Sequence, residues 1–169
     1  SGVELSFNVD IFQNKDWYVG FHTNYAYNKN KITKLFNGKK SWDMPQSSLT
    51  YIVGEAVQFY MPVFAGVDPT DGKQMWKVPN SNETTKNEQL VNSGALNQAT
   101  GKKRYAPHYG GFGLNASWKG LSFAADFSWV AGKYLLNNDR YFSENPVVAY
   151  GMNQSKDVLH AWKEPGDKT

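Results

Sequence analysis

The chain has 169 residues, 40% of them hydrophobic and 15% aromatic, and its 18 Lys and Arg against 15 Asp and Glu leave a formal charge of +3. Mean hydropathy is −0.60, and no run approaches the ~20 apolar residues of a membrane helix; a helical membrane protein is excluded, but a barrel with a polar lumen and polar loops is not. Without cysteine there is no disulfide framework, thiol nucleophile or Cys-based metal site, and a pI near 8.9 is too mild to imply nucleic acid.

Taken in chain order, Val3 to Ile11 puts an apolar residue on every odd position and a hydrogen-bonding one on every even position. Side chains of a strand alternate sides, so this segment predicts a strand with one greasy and one wet face. A short turn follows through Phe12 to Asp16. Trp17 to Tyr27 then repeats the pattern, with Trp17, Val19, Phe21, Tyr25 and Tyr27 on one side and Tyr18, Gly20, His22, Asn24 and Ala26 on the other. Between Lys29 and Tyr109 lie about eighty residues, far more than an ordinary connection. Within them, Leu49 to Phe64 reads as one extended segment, Asp68-Pro69-Thr70-Asp71-Gly72 as a turn, Gln74 to Val78 as a returning strand, and Pro79 to Gly101 as irregular. Basic residues cluster at Lys29, Lys31, Lys34, Lys39 and Lys40 and again at Lys102, Lys103 and Arg104, either as solvated loop charge or as contacts for an anionic lipid or ligand.

Alternation resumes at Phe112, Leu114, Ala116 and Trp118. It turns at Lys119-Gly120 and continues through Leu121, Phe123, Ala125, Phe127 and Trp129. Further on, Ser155 to Trp162 predicts a short helix, N-capped by Ser155, with Val158, Leu159 and Trp162 on one apolar face. The expected organisation is a hairpin over 1–29, a long excursion with its own hairpin over 30–108, a second hairpin over 109–135 and a second excursion over 136–169.

A greasy face can meet a second sheet, as in a soluble sandwich, or lipid, as on an outer-membrane barrel. Trp17 and Trp118 sit beside the short turns, and Tyr25, Tyr27 and Trp129 lie on the same faces eight to ten residues away. At roughly 3.3 Å per residue and a tilt near 40°, this projects to about 20–25 Å, the spacing of two aromatic girdles. The barrel reading makes Leu5, Phe7, Val9, Trp17, Val19, Phe21, Tyr25, Leu114, Trp118, Phe123, Phe127 and Trp129 lipid-facing. Too few strands are present to close a barrel, and an open sheet with two free edges is a poor monomer in water, so the chain reads as a piece of something larger.

Several segments resemble one family. Gly2-Val3-Glu4-Leu5-Ser6 and Tyr25-Ala26-Tyr27-Asn28-Lys29-Asn30-Lys31-Ile32 are similar to late barrel strands of SusC/RagA-like TonB-dependent outer-membrane transporters. Ala65 to Lys73 resembles a recurrent turn of that family, and Pro107-His108-Tyr109-Gly110-Gly111-Phe112 its proline and paired glycines before a strand. Trp118 to Phe123 resembles its hairpin, and Trp162 to Thr169 its tryptophan with Pro-Gly-Asp-x-Thr. The motifs occur in family order along nearly the whole chain.

The resemblance implies an all-β fold, namely antiparallel strands from a transmembrane barrel of about 22 strands, incomplete here. It implies import of oligosaccharides or peptides across a Bacteroidetes-type outer membrane beneath a SusD-like surface lipoprotein. Coupling to the TonB complex would run through segments absent here, as would the plug domain.

The chemical inventory points away from an enzyme. His22, His108 and His160 lack metal-ligand spacing; Gly110-Gly111 precedes a strand and so cradles no phosphate; Asp68 and Asp71 read as turn formers, without the further oxygens of a calcium loop. Glu4, Asp10 and Asp126 fall on polar faces, with nothing to pair them as a glycosidase requires. No cofactor or metal is expected. Ligand contact would fall to aromatics outside the secure strands, Trp42, Trp76, Tyr105 and Tyr109, with Asp43 and Asn80 as hydrogen-bonding partners. The alternatives are a soluble carbohydrate-binding β-sandwich and a secreted β-rich hydrolase, the latter disfavoured for want of an acid, base or nucleophile.

Overall fold

Apart from Ile11, every second residue of the alternating segments lies on a common face, and the computed structural model, which describes residues 1–145 and 151–167, shows how they pair. The chain opens with β1 (Gly2–Gln13) and β2 (Trp17–Asn28). The excursion holds β3 (Ser41–Met44), β4 (Leu49–Ile52), β5 (Gln58–Met61), β6 (Phe64–Val67), β7 (Gln74–Lys77), β8 (Thr84–Thr85), α1 (Glu88–Asn92) and β9 (Gln98–Lys103). Then come β10 (His108–Trp118), β11 (Leu121–Ala131), α2 (Asn138–Glu144) and a 3₁₀ turn at Lys156–His160. Among the described residues no helix is long and apolar enough to cross a membrane.

The longest strands form an antiparallel sheet in the order β1-β2-β10-β11, so the two hairpins lie side by side through β2 and β10. Register carries the alternation straight across all four. Phe7 faces Thr23, Thr23 faces Phe112 and Phe112 faces Phe127; Val9 faces Phe21 and Phe21 faces Leu114, which faces Ala125. Residues directly opposite share a face, so all twelve apolar residues named above lie on one side of the sheet. That side is uncovered, with Leu5 61%, Phe7 56%, Phe123 59% and Phe127 57% exposed. A soluble sandwich, which would bury these side chains under a second sheet, is not what the chain forms. The sheet is open rather than a closed barrel.

One strand position departs from the simple period. Asp10 pairs with Gly20 but Phe12 with Val19, so Ile11 is the extra residue of a bulge and Phe12 takes its place in the apolar row. Because Ile11 and Phe12 are both apolar, the slip leaves no mark in the pattern. Strand β1 therefore runs on to Gln13, and the turn is confined to Asn14–Asp16. There Asn14 Oδ1 accepts from the backbone N–H of Asp16 at 2.9 Å and of Trp17 at 2.7 Å. The other hairpin turns on Lys119 (φ 45°) and Gly120 (φ 90°), the paired positive φ values that suit a two-residue loop. Lys119 N–H donates to Asp16 O at 3.0 Å, which ties the two turns together.

The excursion is more structured than expected. Leu49 to Phe64 is not one extended segment: Gly54 takes φ 95°, Glu55 N–H closes on Ile52 O, and β4, β5 and β6 are separate strands. The partner of β7 is β6, across the predicted turn at 68–72. Pro79 to Gly101 holds β8, α1 and β9 instead of irregular chain; Asn87 caps α1 by accepting from Gln89 N–H. Strands β3-β4-β5-β9 make one sheet and β6-β7-β8 another. The predicted helix near 155–162 is shorter, a 3₁₀ turn whose Ser155 Oγ accepts from Asp157 N–H, and Trp162 lies outside it.

The chain divides into two compact units. One comprises residues 1–42, 51–58 and 102–134, with Ala26 and Val57 buried. The other takes 43–50, 59–101 and 135–169, with Thr50, Phe59 and Leu96 buried among its described residues.

Candidate functional site

The wet face of the β1-β2-β10-β11 sheet is organised by glycines. His22 on β2 and Asp126 on β11 both pair with Gly113 on the strand between them. With no side chain on Gly113, His22 Nε2 reaches Asp126 Oδ1 at 2.8 Å across it. Asn115 Nδ2 lies 3.4 Å from His22 Nδ1, so an amide donating there leaves the Nε2 proton to donate to Asp126. One row away, the Tyr18 hydroxyl lies over Gly20 and donates to Asp10 Oδ1 at 2.8 Å. Two of the carboxylates that sequence left without partners, Asp10 and Asp126, are thus held by neighbours on this face. Among the described residues no three His, Asp or Glu side chains are placed to hold a metal.

The greasy face carries phenylalanines in its middle rows and Trp or Tyr pairs at both ends. Trp17 and Trp118 face each other in register and stack with centroids 5.5 Å apart. At the opposite end Tyr25 and Trp129 stack at 6.1 Å over Gly110, and Tyr25 hydrogen-bonds His108 Nδ1 at 2.8 Å. Such ring pairs contribute about 0.5–1.5 kcal/mol beyond their burial. Thr23, the one hydroxyl in the middle rows, is satisfied by donating to Gly111 O at 2.9 Å.

Hollows open where β2 and β10 leave and re-enter the excursion. One of about 310 Å³ is lined by Asn28, Asn30, Tyr105, Ala106 and Tyr109. Another of about 190 Å³ shares Asn28, Asn30 and Tyr105 and adds Lys29, Lys31 and Lys103. Their walls are fixed by two main-chain bonds, Asn28 N–H to Pro107 O at 2.8 Å and Arg104 N–H to Val57 O at 3.0 Å, and by Val57 N–H donating to the Asn30 side-chain Oδ1 at 3.0 Å.

The six residues expected to touch ligand do not form one cluster. Tyr105 and Tyr109 line the larger hollow together. Trp42, in the same unit, is engaged by Phe36 edge-on at 5.3 Å and by Tyr51 at 5.5 Å. Asp43, Trp76 and Asn80 belong to the other unit. Asp43 accepts from Thr50 Oγ1 at 2.6 Å, and burial, the Asp43 charge and the hydrogen bond to it push the Tyr60 phenol up. Trp76 packs against Phe64, and Asn80 takes φ 59° in a turn. Sequence reasoning did not single out Asn28 and Asn30; an Asn pair at the mouth of a strand, between clustered lysines, was the signal available.

The predicted turn at 68–72 is reinforced from further along the chain. Lys86 Nζ lies 2.6 Å from Asp68 and 3.2 Å from Asp71. The hydrogen bonds from Lys86 and from the Thr70 hydroxyl and N–H hold the Asp68 carboxyl well below the usual carboxylate range. Asp71 is lowered too, first by Lys73 N–H. Trp162 lies against Gly72 and donates from Nε1 to Pro69 O at 3.2 Å, while Gly166 N–H donates to the same carbonyl.

No protein-family profile matches the chain, and no curated protein does. Solved structures do. A chain of the RagAB peptide transporter aligns with a TM-score of 0.85 and 41% identity, over 99% of the present chain and 19% of its own. The RagAB peptide importer in its open-open state gives 0.85 and 41% over 99% and 18%. In the closed-closed state it gives 0.83 and 40% over 99% and 19%. The chain therefore spans less than a fifth of the proteins it matches, and over nearly all of its own length it is similar in sequence and fold to that part of a RagAB peptide-transporter chain.

Proposed function

We infer that this chain is part of a SusC/RagA-type TonB-dependent outer-membrane importer, and that its solute is peptide. The observation that carries the reading is the unbroken, uncovered apolar face of β1-β2-β10-β11, bounded at both ends by stacked aromatics. Lipid is the environment in which such a face is stable without a covering sheet. The similarity to RagAB peptide-transporter chains supports the same reading and favours peptide over oligosaccharide.

On this view residues 1–29 and 109–135 are barrel wall. Leu5, Phe7, Val9, Trp17, Val19, Phe21, Tyr25, Leu114, Trp118, Phe123, Phe127 and Trp129 face lipid, and the glycine-spaced polar face with His22 and Asp126 lines the lumen. Segments 30–108 and 136–169 are exterior. Tyr105 and Tyr109 contribute to the solute cavity, with Trp42, Trp76, Asp43 and Asn80 in the surrounding loops. A SusD-like lipoprotein covers the exterior side, and the plug and TonB contact come from other parts of the transporter.

Spin labels on Leu114, Phe123 and Phe127, and on their neighbours Asn115, Ser122 and Ser128, test this in the complete protein in lipid vesicles. The first three should be relaxed by oxygen and shielded from a water-soluble nickel chelate, and the second three the reverse. Equal access to the chelate on both faces would end the membrane reading.

A further inference from the structure

Of the two hollows beside Tyr105, one is lined by three lysines and the other by no charged residue. Lys29, Lys31 and Lys103 come from two distant stretches of chain to line one cavity, and among the described residues none of the three takes part in an ion pair. With three lysines and no carboxylate among its lining residues, the hollow carries a net positive charge that favours an anion. Tyr105 is 55% exposed and lines both hollows, presenting an aromatic surface between them. Asn28 and Tyr109 add an amide and a phenol on the uncharged side. Hydrogen bonds among Asn28, Pro107, Asn30, Val57 and Arg104 already hold the backbone around both hollows, so a ligand need order only side chains.

We propose that this is a subsite for an extended acidic peptide segment, with its carboxylate side chains set among Lys29, Lys31 and Lys103 and an adjoining apolar side chain against Tyr105 and Tyr109. Successive side chains of an extended peptide point to opposite sides, and two hollows flanking one ring suit that alternation. The proposal rests on the peptide-import reading above and adds to it a site and a charge preference.

The test compares two synthetic nonapeptides of the same sequence, one carrying three Asp or Glu residues and the other the corresponding Asn or Gln. Their binding to the complete transporter in detergent is measured by calorimetry at low and at moderate salt. The acidic peptide should bind more tightly, and its advantage should shrink as salt rises. In the K29Q/K31Q/K103Q variant, whose altered residues are all exposed, the acidic peptide should lose roughly tenfold or more, since exposed charge pairs contribute a few-fold each. The neutral peptide should change by less than about twofold, the effect of a surface charge it does not meet. Tyr105→Ala should weaken both peptides. If wild-type protein binds both peptides equally, or the triple variant weakens both alike, the acidic subsite is wrong while peptide import stands. If neither peptide binds wild-type protein that still takes up an oligosaccharide, the peptide reading and the subsite fall together.

Discussion

His22 and Asp126 are bonded at 2.8 Å although their strands are not neighbours, because the residue between them in register is Gly113. The same device recurs one strand end away on the opposite face, where Tyr25 and Trp129 meet over Gly110. A missing side chain on β10 thus lets β2 and β11 interact directly, joining three strands.

The two glycines should respond differently to a methyl group. At Gly113 a Cβ meets the ends of the His22 and Asp126 side chains, which can swing aside, so Gly113→Ala should cost under about 1 kcal/mol, the worth of an exposed pair. At Gly110 it meets the Asn24 carbonyl, which is part of the β2 ladder, and Gly110→Ala should cost about 1–3 kcal/mol. Denaturant unfolding of both variants in detergent gives the comparison, and His22→Ala combined with Gly113→Ala should cost no more than His22→Ala alone.

Depth along the sheet sets the cost of a charge on the greasy face. Leu114 lies midway between Trp118 and Gly110 on β10, and Phe21 midway between Trp17 and Tyr25 on β2. Leu114→Arg and Phe21→Arg should each cost about 2–4 kcal/mol in a bilayer, whereas Leu121→Arg, opposite Trp118 at the turn, should cost about 0–1 kcal/mol. Unfolding titrations in lipid vesicles read the difference.

Acid should loosen the 68–72 turn. The Asp68 carboxyl is held below its ordinary value, so its contribution is fully present above the unfolded pKa, near about 3.9, and is lost as pH falls through the folded value. Lys86 is raised by its bonds to Asp68 and Asp71, so its contribution persists upward past the ordinary lysine range and is lost only as pH rises through the raised value. Amide exchange at Gly72 and Lys73 should therefore be flat from pH 5 to 8, after correction for intrinsic rate, and quicken below about pH 4. Asp68→Asn should weaken that acid response, leaving the part that Asp71 carries.

Gly72 carries two constraints at once, a φ of 71° and the Trp162 ring where a Cβ would go. Gly72→Ala should cost at least about 1–2 kcal/mol from the left-handed backbone alone. It should also release Trp162 from Pro69, seen as faster exchange over residues 162–167. An unaltered exchange pattern there would mean that the ring does not rest on the glycine.

The long strands were legible because eleven or twelve residues show many cycles of a two-residue period, enough to fix both the face and the hairpin partners. The bulge at Ile11 was invisible, since an apolar residue was exchanged for another in the same row. Strands β3 to β8 have two to four residues each and complete too few cycles to be read by period; β7 was legible only from the turn at 68–72 before it, and elsewhere Gly54, Asn80 and Asn87 set the local path through φ values and caps. Of the residues lining the hollows, Tyr105 and Tyr109 were visible in the sequence because aromatics set apart from the alternating pattern stand out. Asn28 and Asn30 were not, because what makes them cavity walls is a bond to Val57 and a contact with the 105–109 segment, neither of which is local in sequence. The lysines were visible as clusters, but only the fold brings Lys103 beside Lys29 and Lys31.

The bond from Asn28 N–H to Pro107 O closes the neck of an excursion about eighty residues long. Closing a flexible loop of that length costs about 2–3 kcal/mol more than closing a five-residue turn, since the entropy grows as the logarithm of length. The hairpins β1-β2 and β10-β11 escape this penalty, and β2-β10 bears it in full. The two hairpins should therefore be early, independent units of assembly, and their union the slow event. Any order that β3 to β9 acquire beforehand shortens the loop still to be closed, so the excursion between the hairpins also sets the pace at which the four-stranded sheet is completed.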